Sequence, residues 1–270
     1  MKKFLALSAV AGTFLFNSFS ANAAPIERET NNQIALLQSL ALGHFDGSIT
    51  AKEWKKFGDI GIGTFEGLDG ELIMLDGVIY RANQDLKINV VSDNVTIPFS
   101  NVTFFERDFS AKLKNIVSKN SLETKFNELV EKRGTNSFYF VKIPATFSKI
   151  TIRSEAGQKK PYPTLVQALE ATQKEMTCEN IKGTIVGLYC PPYMGGLNSV
   201  GWHFHFISED KTIGGHVLEL SVETGEAQFD KTNNFNLKLP NKKNFQELNL
   251  GQDLSKDIHK AENDSTVKNQ

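Results

Sequence analysis

The chain has 270 residues, with 30 basic and 31 acidic side chains and a formal charge of −1. That balance argues against a polyanionic partner, so no nucleic acid is expected. Beyond residue 23 no run approaches the eighteen or so apolar residues of a membrane span, and two cysteines make no disulfide framework.

Met1-Lys2-Lys3, the apolar Phe4 to Phe16, and Ala21-Asn22-Ala23 before Ala24-Pro25 describe a cleaved secretory signal over residues 1–23. Export to the periplasm or the medium is therefore expected, with no membrane attachment after cleavage. The remaining 247 residues carry 28 basic against 31 acidic side chains, a charge of −3, and can fill one large domain or two small ones. Twenty phenylalanines suit a sheet-rich interior. In an exported chain Cys178 and Cys190 can be bridged, and a pair of reduced buried thiols is the equal alternative. Cys190 as a metal ligand is disfavoured, because neither cysteine sits in a ligand-type spacing such as Cys-x-x-Cys.

From Asn31, the spacing of Ile34, Leu37, Leu40 and Ala41 predicts a helix that Gly43 ends. Glycines 58, 61, 63, 67 and 70 read as short strands joined by tight turns. Two apolar runs around Asp76-Gly77, residues 71–75 and 78–82, predict a hairpin with a type I′ turn. Glu71 shares a strand face with Ile73 and Leu75, and composition alone favours a solvated strand end for it. Val90 to Phe105 supplies further strands, with Pro98 at an edge or bulge. Leu113, Ile116, Leu122, Phe126 and Leu129 predict one amphipathic helix from Leu113 to Arg133. Asn136 to Pro144 and Lys149 to Arg153 read as two strands, with Arg153 solvated on composition alone.

Pro163 to Met176 reads as a helix with proline at its entry. Gly183 to Gly187 is a strand and Pro191 to Asn198 a loop. After strands around Phe235 to Leu239, composition describes a disordered polar tail. A faint echo between Gly63-Thr64-Phe65 and Gly183-Thr184-Ile185 suggests two related halves, about 34–150 and 151–270.

Three of the five histidines fall within fourteen residues, in Gly201-Trp202-His203-Phe204-His205-Phe206-Ile207-Ser208 and the following Gly214-Gly215-His216. On a strand His203 and His205 share one face, and Trp202, Phe204 and Phe206 the other. A reversal centred between Glu209 and Asp210 sets His216 opposite His203, so three imidazoles converge as in a catalytic zinc site. A bulge at Gly214-Gly215 would instead turn His216 to the wrong face.

The block Gly63-Thr64-Phe65-Glu66-Gly67-Leu68-Asp69-Gly70-Glu71-Leu72-Ile73-Met74-Leu75-Asp76-Gly77, together with Pro191-Pro192-Tyr193 and Gly201 to Ser208, resembles the α-acetolactate decarboxylase family. The resemblance runs from about Gln33 to the C-terminus. It implies an α+β fold of two sheet-containing halves with a few packing helices and the metal site on a β-hairpin. It also implies a zinc enzyme converting acetolactate (2-hydroxy-2-methyl-3-oxobutanoate) to acetoin and carbon dioxide in the branch leading to butanediol. By position, His203, His205 and His216 would hold Zn²⁺, Glu71, Arg153 and Glu262 would be catalytic, and Thr64 would contact substrate. A homodimer is compatible with the sequence. Two other readings stay open: another zinc lyase, of hydratase or cupin-like type, and an exported metal-binding protein without chemistry.

Overall fold

Two β-sheets packed face to face set the histidine hairpin against the Glu71 hairpin in the computed structural model, which describes residues 27–263. The leader expected over residues 1–23 lies outside them. In chain order the strands are β1 (Thr30–Ile34), β2 (Ile49–Thr50), β3 (Ile60–Thr64), β4 (Glu71–Leu75), β5 (Val78–Ala82), β6 (Ile88–Val90) and β7 (Thr96–Ile97). They continue as β8 (Ser100–Thr103), β9 (Phe109–Ile116), β10 (Phe138–Ser154), β11 (Lys174–Cys190), β12 (Gly201–Ser208), β13 (Gly214–Thr232) and β14 (Asn234–Lys238). The helices are α1 (Leu37–Ala41), α2 (Ala51–Trp54), α3 (Lys119–Glu131), α4 (Leu165–Thr172), α5 (Lys243–Gln246) and α6 (Ser255–Asn263). Among the described residues no helix is long and apolar enough to cross a membrane.

The first sheet runs β14-β1-β8-β3-β4-β5-β6, and the second runs β10-β11-β12-β13-β9 with β10 also paired to β13, so that it closes on itself. The architecture is α+β, as expected. β10 is continuous through residues 150 and 151, where the sequence places the border between halves. Its two expected strands merge because β11 and β13 pair with it on both sides, and Pro144, which has no N–H to give, sits where the β10–β13 ladder is interrupted.

Alternation decides what each sheet face meets. Ile60, Ile62, Ile73 and Leu75 from the first sheet pack on Phe138, Phe140, Val186, Leu188 and Ile207 from the second. Leu72 and Met74 point the other way, into a core with Trp54 and Ile79. Glu71, in phase with Ile73, therefore faces the second sheet. The expected type I′ turn joins β4 to β5, with φ of 50° at Asp76 and 78° at Gly77.

Several helix boundaries differ from the expectation, each for a local reason. Residues 30–34 are a strand held between β8 and β14, so the first helix is only Leu37–Ala41. Leu113 and Ile116 belong to β9, paired with Gly225 and Val222, and α3 starts only after Ser118 and Ser121 close a capping box. A second capping box, Thr164 with Gln167, starts α4 two residues beyond Pro163, and residues from Lys174 return as β11. The tail is not a featureless coil: α6 buries Ile258 and Ala261 against Leu37, Leu40, Leu165 and Leu169.

Cys178 and Cys190 are free thiols near opposite ends of β11. Twelve residues of strand separate them by roughly 40 Å, which rules out a bridge within one chain. Burial pushes the Cys190 thiol up and keeps it neutral.

Inside the closed sheet Phe204 is fully buried, stacking on Trp202 at 5.7 Å between ring centroids, with Phe126 at 6.4 Å. Phe204→Ala is expected to lower unfolding free energy by about 3–5 kcal/mol, read from the denaturant midpoint. Asp230, fully buried on β13, is held above the carboxylate range, at about 8, chiefly by burial and then by the nearby Glu29, Asp108 and Glu106, against a backbone hydrogen bond from Glu106. A raised folded-state value means that stability is fully present below the unfolded value of 3.8 and is lost as pH rises through about 8. Asp230→Asn is therefore expected to raise the thermal midpoint by a margin that grows from about pH 4 to about pH 9 and then levels off. A margin independent of pH would contradict this.

Candidate metal centre and its pocket

The histidine face is built by strand phase. On β12, Trp202, Phe204 and Phe206 enter the core of the closed sheet, while His203, His205 and Ile207 face the Glu71 sheet. The reversal into β13 is centred between Asp210 and Lys211, one residue later than expected, so His216 pairs with His205 and not with His203. Asp210 fixes that turn, its carboxylate accepting from the Ser208 hydroxyl and from the Thr212 N–H and hydroxyl. A shift of one residue in the centre moves each partner by two, so His216 keeps its face. The two glycines serve close approach and not a bulge between β12 and β13: a Cβ on Gly215 would stand 2.4 Å from the Arg153 carbonyl oxygen.

The rings converge. His203 Nε2 lies 3.1 Å from His205 Nε2 and 2.9 Å from His216 Nδ1. Each ring's other nitrogen faces an acceptor. His205 Nδ1 is 2.8 Å from the Leu72 carbonyl, His216 Nε2 is 2.9 Å from the Glu262 carbonyl, and His203 Nδ1 is 3.3 Å from Glu262 Oε2. A carbonyl only accepts, so His205 and His216 carry their single N–H on the outer nitrogen. Burial, with the Arg153 charge next for His203, keeps the rings unprotonated, His203 down to about 3 and the other two well below the usual histidine range. Lone pairs therefore point at one another with too few protons to link them. Three nitrogens around a tetrahedral zinc at about 2.0–2.1 Å stand roughly 3.3 Å apart. The two spacings that His203 makes are close to this and all three ligand atoms lie within 4.8 Å of one another, so the group can hold a metal ion.

Around this centre the protein gathers the other expected residues. Glu71 and Arg153, read from composition as solvated, are both buried, because the opposite sheet and α6 cover them. Glu71 Oε2 is 3.3 Å from His205 Nε2. Arg153 Nη2 donates to the Ala261 carbonyl at 2.7 Å, and Nη1 is 3.7 Å from Glu71 Oε1. Glu262 reaches the site from α6. Burial raises the Glu71 carboxyl well above the carboxylate range, followed by the Glu155 charge, and raises Glu262 as well. Thr64 pairs in register with Glu71 and lines the pocket, its hydroxyl donating to the Gly70 carbonyl at 2.9 Å. Leu40, Leu68, Phe99, Leu165 and Leu169 form the apolar wall.

The alpha-acetolactate decarboxylase family profile matches residues 32–252. The chain belongs to the alpha-acetolactate decarboxylase family. An alpha-acetolactate decarboxylase from Methanosarcina mazei is 40% identical over 230 residues, 85% of this chain and 79% of the relative. One from Bacillus subtilis strain 168 is 37% identical over 231 residues, 85% of this chain and 89% of the relative. A crystal structure of alpha-acetolactate decarboxylase from that strain superposes with a TM-score of 0.84 at 36% identity, over 87% of this chain and all of that one.

In this alpha-acetolactate decarboxylase family member the pocket also holds residues that sequence reading passed over. Glu155 is one: period-two alternation carries it onto the face of Arg153, a signal obscured by ending the expected strand at Arg153. Its carboxyl is buried, which lifts it to about 7, and Oε2 stands 3.7 Å from Arg153 Nη1. Asn101 and Asn198 are two others. Asn198 Nδ2 donates to Asn101 Oδ1 at 2.8 Å and to Gln33 Oε1 at 2.9 Å, fastening the loop before β12 to the first sheet. The backbone of α6 is the least foreseeable part, since the Ala261 and Glu262 carbonyls at its C-terminal end are satisfied by Arg153 and His216.

Proposed function

We propose that the chain decarboxylates acetolactate to acetoin and carbon dioxide with the help of one zinc ion held by His203, His205 and His216. The observation that carries this reading is the convergence of three inward imidazole lone pairs with Glu71, Glu262 and Arg153 in one buried pocket. Zinc bound there would supply Lewis acidity to a ketone oxygen, easing the negative charge that builds as the C–C bond to the carboxylate breaks. Arg153, with Nε lacking a partner and Nη1 outside hydrogen-bond range of both carboxyls, has donors to offer the substrate carboxylate. The carbon that loses carbon dioxide must take up one proton. Glu71 and Glu262, whose carboxyls burial holds toward the protonated form, are placed to supply it and to orient the adjacent hydroxyl. The leucine and phenylalanine wall suits the two methyl groups and keeps water away.

A protein that merely stores metal has no use for a buried arginine among carboxyls, which favours the enzyme reading over that alternative. The test is purified protein with acetolactate: acetoin and carbon dioxide should form in equal amounts, stop on chelation and return with zinc. No acetoin with fully metal-loaded protein would refute the reading. Export is part of the same proposal, and a mature protein beginning at Ala24 outside the cytoplasm would support it.

A further inference from the structure

The Glu71, Arg153 and histidine roles leave Glu155 unexplained. It is 1% exposed and lines the same pocket. Arg153 Nη1 stands 3.7 Å from Glu155 Oε2 and 3.7 Å from Glu71 Oε1, so the two carboxyls share one guanidinium nitrogen, and after burial the Glu155 charge helps to raise the Glu71 carboxyl. A pair kept for stability would close to hydrogen-bond distance and satisfy both oxygens. This one stays open, and Glu155 Oε2 is buried with no hydrogen-bond partner.

The backbone that carries Glu155 is tied on both sides. Ser154 Oγ donates to the Ala82 carbonyl at 2.8 Å, the Ala156 N–H donates to Thr172 Oγ1 at 3.3 Å, and the Gln158 N–H donates to the Gly67 carbonyl at 2.6 Å. Its carboxyl is thus presented from a fixed frame, between the arginine and the first sheet. With Nη2 held by Ala261, the guanidinium has one tie to α6 and both carboxyls beyond Nη1, which sets the plane in which its remaining donors lie.

We propose that Glu155 is a positioning residue of the reaction, holding the Arg153 guanidinium and the Glu71 carboxyl in fixed orientation to each other. The inference rests on the decarboxylase reading above. Because Glu155 acts through Arg153, its loss should show first in substrate capture and leave the metal in place.

The test compares Glu155→Ala and Glu155→Gln in the full chain, reading kcat and KM for acetolactate beside zinc content and thermal midpoint. Alanine frees the guanidinium, and KM is expected to rise at least about tenfold while zinc stays at one per chain. Glutamine keeps the shape, an acceptor for the arginine and a donor for Glu71, and is expected to return KM to within about threefold of wild type. An unchanged KM in the alanine variant, loss of zinc from it, or a glutamine variant no better than alanine would overturn the proposal. Should the alanine variant not fold, Glu155→Asp carries the same test, since it keeps the charge but withdraws the oxygens by one methylene. Its KM should rise in the same way, and a wild-type value would overturn the proposal. Wild-type protein that makes no acetoin defeats the decarboxylase reading and this inference with it. An active wild type with indifferent Glu155 variants defeats this inference alone.

Discussion

His205→Ala is expected to empty the protein of metal and of turnover together. His205 is fully buried, with Nδ1 on the Leu72 carbonyl and Nε2 beside His203 Nε2 at 3.1 Å and Glu71 Oε2 at 3.3 Å. Removing an outer hydrogen-bond partner of a ligand typically lowers metal affinity or activity about 10–100-fold, and removing the ligand itself costs more. Zinc should fall from one per chain to near zero after dialysis, and acetoin formation to the uncatalysed level. The fold should survive, because the ring lies on the pocket side of β12 and the aromatic core lies behind it. Metal analysis and an acetoin assay on the same preparation check this, with circular dichroism to confirm folding.

Arg153→Ala should fail differently, keeping its zinc while losing its grip on substrate. Removing one partner of a buried charged hydrogen-bonded contact costs about 2–5 kcal/mol, and each 1.4 kcal/mol is tenfold, so kcat/KM should fall by roughly 30-fold to several thousandfold. Arg153→Lys should recover little of this. One ammonium cannot reach the Ala261 carbonyl, as Nη2 does at 2.7 Å, and also offer the spread of donors that the guanidinium presents to the pocket. Steady-state kinetics on both variants at equal metal content is the measurement. A lysine variant with wild-type kcat/KM would show that charge alone suffices at this position.

The strands were legible where their pattern is local. Asp76-Gly77 between two apolar runs fixes its hairpin, and alternation in Trp202 to Phe206 separates core from site without any knowledge of the partner sheet. What the pattern could not carry is burial imposed from elsewhere in the chain. Arg153 and Glu71 look solvated by their neighbours in sequence and become buried only because a second sheet and α6 close over them. The position of Glu262 rests on a helix whose apolar face is little more than Ile258 and Ala261, too sparse to stand out in a polar tail. Leu113 and Ile116 show the opposite error: two residues three apart fit a helix, but pairing with β13 claims them before Ser118 starts α3. The His216 register was off by two for want of the Asp210 turn, an error that alternation happened to forgive. Family resemblance supplied the roles expected for Glu71, Arg153 and Glu262, which composition alone did not.

Activity titrated against added zinc, on protein first stripped of metal, probes most directly whether these three imidazoles and their carboxyl and guanidinium neighbours form one catalytic centre. Acetoin formation should rise in proportion to zinc and reach its plateau at one ion per chain. Full turnover in the stripped protein, or a plateau unrelated to occupancy of the His203, His205 and His216 site, would contradict the account.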